Sequence, residues 1–286
     1  MSCVNIRSEM KKERVLVLVK TYPSPSKKYI ETVCTAGLRE DGSWIRIFPV
    51  PYRVNGIVQP FSKYQWIECN VDKTDPSKDG RPESHHLEGQ IKILGQPIPT
   101  TENWELRRRA VLDKARVFTN IKSLISAAKA NERTLAIFKP ATITLRCVKA
   151  AKVPDERIVR AAQIEAHQLD LFESNDWRDN FKFAEHIPYD FKYEVTDDEG
   201  ATATWKILDW ELGALFYGTK ESTGDIEKAK EDVIKKYDKD FLSNKKDLYL
   251  YLGTINGSQK RNWPNPWTII GVAPFPKVSA RPQELF

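Results

Sequence analysis

Apolar residues in the first hundred positions fall into short runs rich in β-branched and aromatic side chains. Val15 to Thr21 and Glu31 to Leu38 read as two strands, parted by the turn-forming insert Tyr22-Pro23-Ser24-Pro25-Ser26. A third strand, Trp44 to Phe48, follows the tight turn Glu40-Asp41-Gly42-Ser43. Alternation puts Trp44, Arg46 and Phe48 on one face and Ile45 and Ile47 on the other. Trp66 to Val71 and Gln90 to Leu94 continue the pattern around a polar loop, Asp72 to Glu88. The pattern predicts a small, strongly bent β-sheet or barrel.

Helical spacing begins near Thr101, a candidate N-cap with Glu102 and Glu105 in the first turn, where carboxylates suit the helix dipole. A second helix, Ile121 to Ala130, has Asn120 as its cap and an apolar stripe of Ile121, Leu124, Ile125 and Ala128. Strands follow at Thr134 to Phe138 and Thr142 to Val148. Pro154 opens a helical stretch that runs to about His167 and meets the polar run Glu173-Ser174-Asn175-Asp176. Beyond it, Phe191 to Val195 and Thr202 to Leu208 read as a hairpin about Asp197-Asp198-Glu199-Gly200. Two helices come next, Asp209 to Tyr217 and Ile226 to Phe241, the latter with a stripe of Ile226, Ala229, Val233, Tyr237 and Phe241. Strands Leu248 to Leu252 and Thr268 to Val272 close the pattern. The expected class is α+β: an N-terminal OB-like β-barrel or bent sheet with added helices over residues 1–153, a helix and linker at 154–176, and a smaller α+β domain at 177–286.

Composition fits a chain that buries a core, since 41% of its 286 residues are hydrophobic and 29% are charged. No apolar run approaches the roughly 18 residues of a membrane span, and charges at Arg7, Glu9, Lys11, Lys12 and Glu13 interrupt any signal-type apolar segment. A cytoplasmic, nucleoid-associated protein with no membrane partner is the expectation. The four cysteines (Cys3, Cys34, Cys69, Cys147) lack C-x-x-C spacing and read as free thiols rather than a metal or disulfide framework. The net charge is +6, distributed as +4 over residues 1–100, +8 over 101–160 and −6 over 161–286. Such a concentration of positive charge raises the local potential toward a polyanion.

Two constellations carry candidate chemistry. Single-strand binders combine a positive groove with aromatic faces, each stacked base contributing about 1–3 kcal/mol. Trp44, Arg46, Phe48, Tyr52, Arg53 and Lys63 supply those residue types, and Arg107, Arg108, Arg109 and Arg116 are placed to meet phosphates. Catalytic candidates are sparser. His85 and His86 sit with Glu83 and Glu88 in a polar loop, and adjacent histidines do not define a metal site. Asp209 and Glu211 could hold a divalent ion for nucleic-acid cleavage, yet Asp209 is also a natural helix cap. No Walker loop, nucleophile elbow or dinucleotide fingerprint occurs, and no cofactor is expected.

The most specific signal is Gln168-Leu169-Asp170-Leu171-Phe172, which resembles the docking motif of the bacterial DNA polymerase III sliding clamp. That resemblance implies that Gln168 is fixed by hydrogen bonds while Leu171 and Phe172 fill an apolar cleft, with Leu169 and Asp170 between them. From average composition the full pattern arises by chance in about one protein of this length in two thousand. A competing reading places Val159, Ala162, Ala166, Leu169 and Phe172 on the buried stripe of one helix. The terminal Gln283-Glu284-Leu285-Phe286 echoes the anchors in shortened form.

The segments Tyr29 to Gly37, Trp44 to Arg53, Leu208 to Leu215 and Pro266 to Val272 resemble a family of uncharacterised prokaryotic proteins similar to dual OB-domain proteins. The resemblance implies nucleic-acid binding at the level of fold, which does not fix function. The combined expectation is a DNA-associated binding protein, on single-stranded or duplex DNA, recruited to the sliding clamp and acting in replication, repair or phage defence. The alternatives are a DNA-processing enzyme, either a nuclease or a base-processing protein, and an inhibitor that occupies the clamp cleft.

Overall fold

The computed structural model describes residues 10–26, 30–51, 53–54, 57–58, 61–150, 186–257 and 261–277. The N-terminal strands are β1 (Lys11–Lys20), β2 (Ser24–Ser26), β3 (Ile30–Leu38), β4 (Trp44–Pro51), β5 (Arg53–Val54), β6 (Ile57–Val58), β7 (Trp66–Lys73) and β8 (Ser84–Leu94). They are followed by helix α1 (Thr101–Leu112), β9 (Val117–Phe118), α2 (Ile121–Lys129), β10 (Leu135–Phe138) and β11 (Thr142–Lys149). After residue 185 come β12 (Tyr189–Thr196), β13 (Thr202–Lys206), α3 (Trp210–Thr223), α4 (Ile226–Ile234), a π-helical turn (Lys235–Asp240), β14 (Lys246–Thr254) and β15 (Trp267–Pro276). The chain is a mixed α+β protein in which strands predominate.

Strands β1, β7, β8, β4 and β3 are hydrogen-bonded in that order, and β1 also pairs with β3, so the five close into a ring. All pairings in the ring are antiparallel except β4 with β8, which run parallel through Arg46 opposite Ser84. The inside is filled by Val15, Val17, Val33, Ile45, Ile47, Val50, Ile67, Cys69 and Val71. The alternate residues Leu16, Leu18, Ala36, Leu38 and Trp44 point outward, yet they are buried too. A register shift between Val17 and Val19 explains why Val19 joins Leu18 on the outer face. Gly37 permits the ring to close, because a Cβ there would lie 2.1 Å from the Leu16 carbonyl oxygen.

What buries the outer face is a second sheet, ordered β15-β14-β10-β9. Its strands alternate cleanly: Leu135, Ile137, Tyr249 and Tyr251 face the ring, while Ala136, Phe138, Leu248, Leu250 and Leu252 face away. On that far side lie α2, α3 and α4 and a three-stranded sheet, β11-β12-β13, contributing Phe191, Tyr193, Val195 and Trp205. The four-stranded sheet is therefore a central layer, apolar on both faces. Strands β9, β10 and β11 precede the boundary expected at residue 153, yet β10 and β11 pair with strands from the C-terminal half and β9 pairs with β10.

Local chemistry sets the helix ends. Asn120 caps α2 by accepting the Ser123 amide at 2.9 Å, and Asp225 caps α4 by accepting from Glu227 and Lys228. Ala229, Val233, Tyr237 and Phe241 are buried as the periodicity requires, whereas Ile226, assigned to the same stripe, is 42% exposed. The start of α1 departs from expectation: Thr100 occupies the N-cap position with no side-chain bond, and Glu102, Asn103 and Trp104 take left-handed φ of 52°, 54° and 65°. The Trp104 ring packs edge-on against Phe275 and Tyr64 there, at 5.9 and 6.3 Å between centroids.

Among the described residues no helix is long and apolar enough to cross a membrane. The clamp-type motif at Gln168, Leu169, Asp170, Leu171 and Phe172, the surrounding 154–176 segment and the terminal echo at 283–286 all lie outside the described residues.

Candidate nucleic-acid interface

The residues nominated from the sequence separate into three groups. The first comprises Trp44 and Arg46, which alternation placed on one face of β4 and which are both buried, at 5% and 1% exposure. This corrects their assignment as nucleic-acid contacts, and the cause is the second sheet packed over the ring. Trp44 meets Tyr251 edge-to-face at 6.3 Å. The Arg46 guanidinium donates from Nη1 to Thr134 Oγ1 and from Nη2 to the Thr134 carbonyl, both at 2.9 Å. Thr134 in turn donates its amide and hydroxyl to the two Glu83 carboxylate oxygens at 2.8 and 2.6 Å. Buried charge demands such partners, and Arg46 serves to tie the ring to β10. Phe48, the third residue of that face, is 43% exposed. Arg53 lies in β5, and its side chain is outside the described part of the molecule.

The second group is the set of catalytic candidates. His85 and His86 belong to β8 rather than to a loop, and successive strand positions point to opposite faces. His85 is held by Nδ1 against the Glu83 carbonyl at 2.8 Å, and burial lowers its pKa. Asp209 caps α3, accepting the Glu211 amide at 3.2 Å, the role its position before the apolar run suggests. Between Asp209 and Glu211 lies Lys63, with Nζ 2.9 Å from Asp209 Oδ2 and 2.8 Å from Glu211 Oε2. Burial acts to lower the Lys63 pKa, but the two carboxylates outweigh it and raise it. An ammonium thus occupies the place a divalent ion would need between these carboxylates. No group of three or more His, Cys, Asp or Glu side chains suited to a metal ion occurs among the described residues.

The third group is the arginine run of α1. Arg107 lies over the Tyr64 and Trp104 rings at 4.3 and 4.9 Å and donates Nε to the Ile98 carbonyl. Arg108 lies over Phe275 and donates Nη2 to the Pro276 carbonyl at 2.6 Å. Arg109 is exposed and pairs with Glu105 one turn away, while Arg116 is exposed above Phe118. Arg107, Arg108 and Arg109 thereby lay positive charge along α1, the first two anchored by aromatic rings, and Arg116 follows beyond its end.

Sequence reading missed three lysines that lie close to Arg108. Lys246 pairs with Pro276 at the open end of the β14–β15 hairpin, and the Lys277 amide donates to the Lys245 carbonyl at 2.9 Å. With Asn103 of α1, Lys245, Lys246, Pro276 and Lys277 line an open cavity of about 460 Å³. The signal lay in Lys245-Lys246 and Pro276-Lys277 bounding two strands of a hairpin, but the overall acidity of residues 161–286 hid it.

A ring of five strands, a central sheet and a helical layer define a mixed α+β protein, with Arg108 and three lysines brought together at the mouth of the β14–β15 hairpin. Residues 11–113 match a family described as Domain of unknown function (DUF8758), and residues 117–286 match one described as Domain of unknown function (DUF8757). The second match spans more than half of the chain, and the chain belongs to that family. No curated protein matches it.

Proposed function

We propose that this chain is a non-catalytic DNA-associated protein, recruited to the bacterial sliding clamp through Gln168 to Phe172 and acting in replication, repair or phage defence. The observation that carries the DNA association is the grouping of Arg108, Lys245, Lys246 and Lys277 about α1 and the hairpin mouth. Phosphate contacts from such groups supply most non-specific affinity. The closed ring of β1, β3, β4, β8 and β7 supports an OB-like reading, since an OB-fold is a five-stranded Greek-key barrel. Its usual binding face, on the second and third strands, corresponds here to Ala36, Leu38, Trp44 and Arg46, which the central sheet covers. Contact with DNA therefore falls to the α1 side. The clamp assignment rests on the pentapeptide, and tethering there raises the effective concentration of a weak DNA binder at the fork.

The test is retention of the chain by immobilised purified clamp, comparing wild type with Gln168→Ala/Phe172→Ala. Loss in the double variant is expected, and equal retention of both would remove the clamp from the proposal. Mobility of a duplex and a single strand in a native gel checks the DNA half separately.

A further inference from the structure

We propose that the cavity between α1 and the open end of the β14–β15 hairpin binds consecutive phosphates of a nucleic-acid backbone, independently of base sequence. This rests on the DNA association proposed above and assigns it a place. The lining residues are Asn103, Lys245, Lys246, Pro276 and Lys277, with no carboxylate among them. Lys245 and Lys277 are exposed and take part in no ion pair among the described residues, unlike Lys63, Lys139, Lys228 and Lys236. Lys246 lies 5.8 Å above the half-buried Trp104 ring, which restricts it to the groove wall. Of the acids close by in sequence, Asp240 pairs with Lys236 and Asp247 with Lys139, while Glu102, beside Asn103, is exposed and lies outside the lining.

Arg108 fixes the far wall through the Pro276 carbonyl, and that bond uses one of its five donors. The other wall is the left-handed turn of Glu102, Asn103 and Trp104. Three consecutive non-glycine residues in that region cost about 1–3 kcal/mol each, a strain that concentrates at binding sites. The volume, about 460 Å³, lies within the range of small-ligand sites. Phe275 and Tyr249 are buried, and the half-buried Trp104 ring already carries the Arg107 guanidinium at 4.9 Å and the Lys246 ammonium at 5.8 Å. Backbone phosphate is what remains to be recognised, and phosphate contacts carry no sequence information.

The experiment measures fluorescence anisotropy of a mixed-sequence 20-mer, single-stranded and duplex, across a salt series with the full chain. Lys245→Ala/Lys246→Ala/Lys277→Ala is compared with the Arg triple at the same positions. The Ala triple is expected to weaken binding about tenfold or more and to flatten the log–log salt slope by about 2 to 3, since each neutralised phosphate contributes roughly 0.7 to 0.9 to that slope. The Arg triple should stay within about threefold of wild type. Unchanged affinity and slope in the Ala triple overturns the groove. If Arg109→Ala/Arg116→Ala then abolishes binding, DNA association stands at another place. If wild type binds neither oligonucleotide, the groove and the DNA association fail together. Saturation of the wild-type groove by inorganic triphosphate without displacement of DNA also overturns it, in favour of a small anion.

Discussion

The Lys63 ammonium lies 2.9 Å from the carboxylate of Asp209, a residue that also accepts the Val272 amide at 3.0 Å. One buried charge pair thus joins the segment leading into β7 to α3 and to β15. Both side chains are almost wholly enclosed, at 6% and 0% exposure, whereas Glu211 on the same ammonium is half-exposed.

Removing one partner leaves the other charge buried alone. Lys63→Met is expected to lower unfolding stability by about 3–5 kcal/mol. Lys63→Met combined with Asp209→Asn should recover most of that loss, since Asn still caps α3 and carries no charge. Glu211→Gln should cost under about 1 kcal/mol, as exposed pairs do. Urea unfolding reads all three, and a double variant no better than Lys63→Met would show that packing, not the charge, fixes the pair.

Gly213 in α3 faces the Tyr22 ring, and a Cβ there would lie 2.0 Å from Tyr22 Cδ2. Tyr22 is stacked between Trp210 and Tyr217, each 6.0 Å away, so it cannot retreat freely. Ala is favoured over Gly in a helix interior by roughly 0.5–1 kcal/mol. Overpacking should reverse that preference and make Gly213→Ala destabilising by about 1–3 kcal/mol. In a Tyr22→Ala background the same change should be neutral or stabilising. Destabilisation of equal size in both backgrounds would sink this account.

Thr134 mediates between Arg46 and Glu83, accepting at 2.9 Å from the first and donating at 2.6 Å to the second. Thr134→Val keeps shape and β-propensity but removes both bonds to charged groups. The expected loss is about 2–3 kcal/mol. Ser84→Ala, whose hydroxyl is 3.5 Å from the same guanidinium, should cost clearly less. Thermal melts that rank Ser84 above Thr134 would contradict this hierarchy.

These contacts show what the sequence makes legible. Among the described residues, period-two and helical spacing locate most of the longer strands and helices, because they report which side of each element is apolar: Val15 and Val17, or Ile121 and Leu124, need only local pattern. Partnership is a different matter. Nothing local to β4 reveals that the face bearing Trp44 and Arg46 is covered by β10, β14 and β15, far along the chain. An arginine between aromatics therefore reads as a surface contact when it is a buried tie. The polar sequence Asp72 to Glu88 likewise conceals the start of β8 at Ser84, because β8 hydrogen-bonds β4 and β7 there while His85, His86 and Leu87 stay half-exposed. The three groove lysines assemble through hairpin register, which a net-charge count cannot express.

Lys20, at the end of β1, is 5% exposed and lies 4.7 Å from the Phe61 ring and 5.8 Å from that of Trp210. Burial pushes its pKa down from 10.5 to about 8. In the unfolded chain the same lysine keeps its proton to about pH 10.4. Below pH 8 both states are charged, and the folded protein carries the full burial penalty. Between pH 8 and about 10.4 the unfolded state binds the extra proton, so this group makes stability rise with pH. Lys20→Met, which fills the same space without the charge, should raise stability by about 2–3 kcal/mol at pH 7. That advantage should shrink steadily across the window and be largely gone above about pH 10.4. Comparing the two proteins by urea titration at each pH cancels the groups they share. A difference that stays constant from pH 7 to pH 10 would show that Lys20 remains charged throughout, its ammonium held by the aromatic rings.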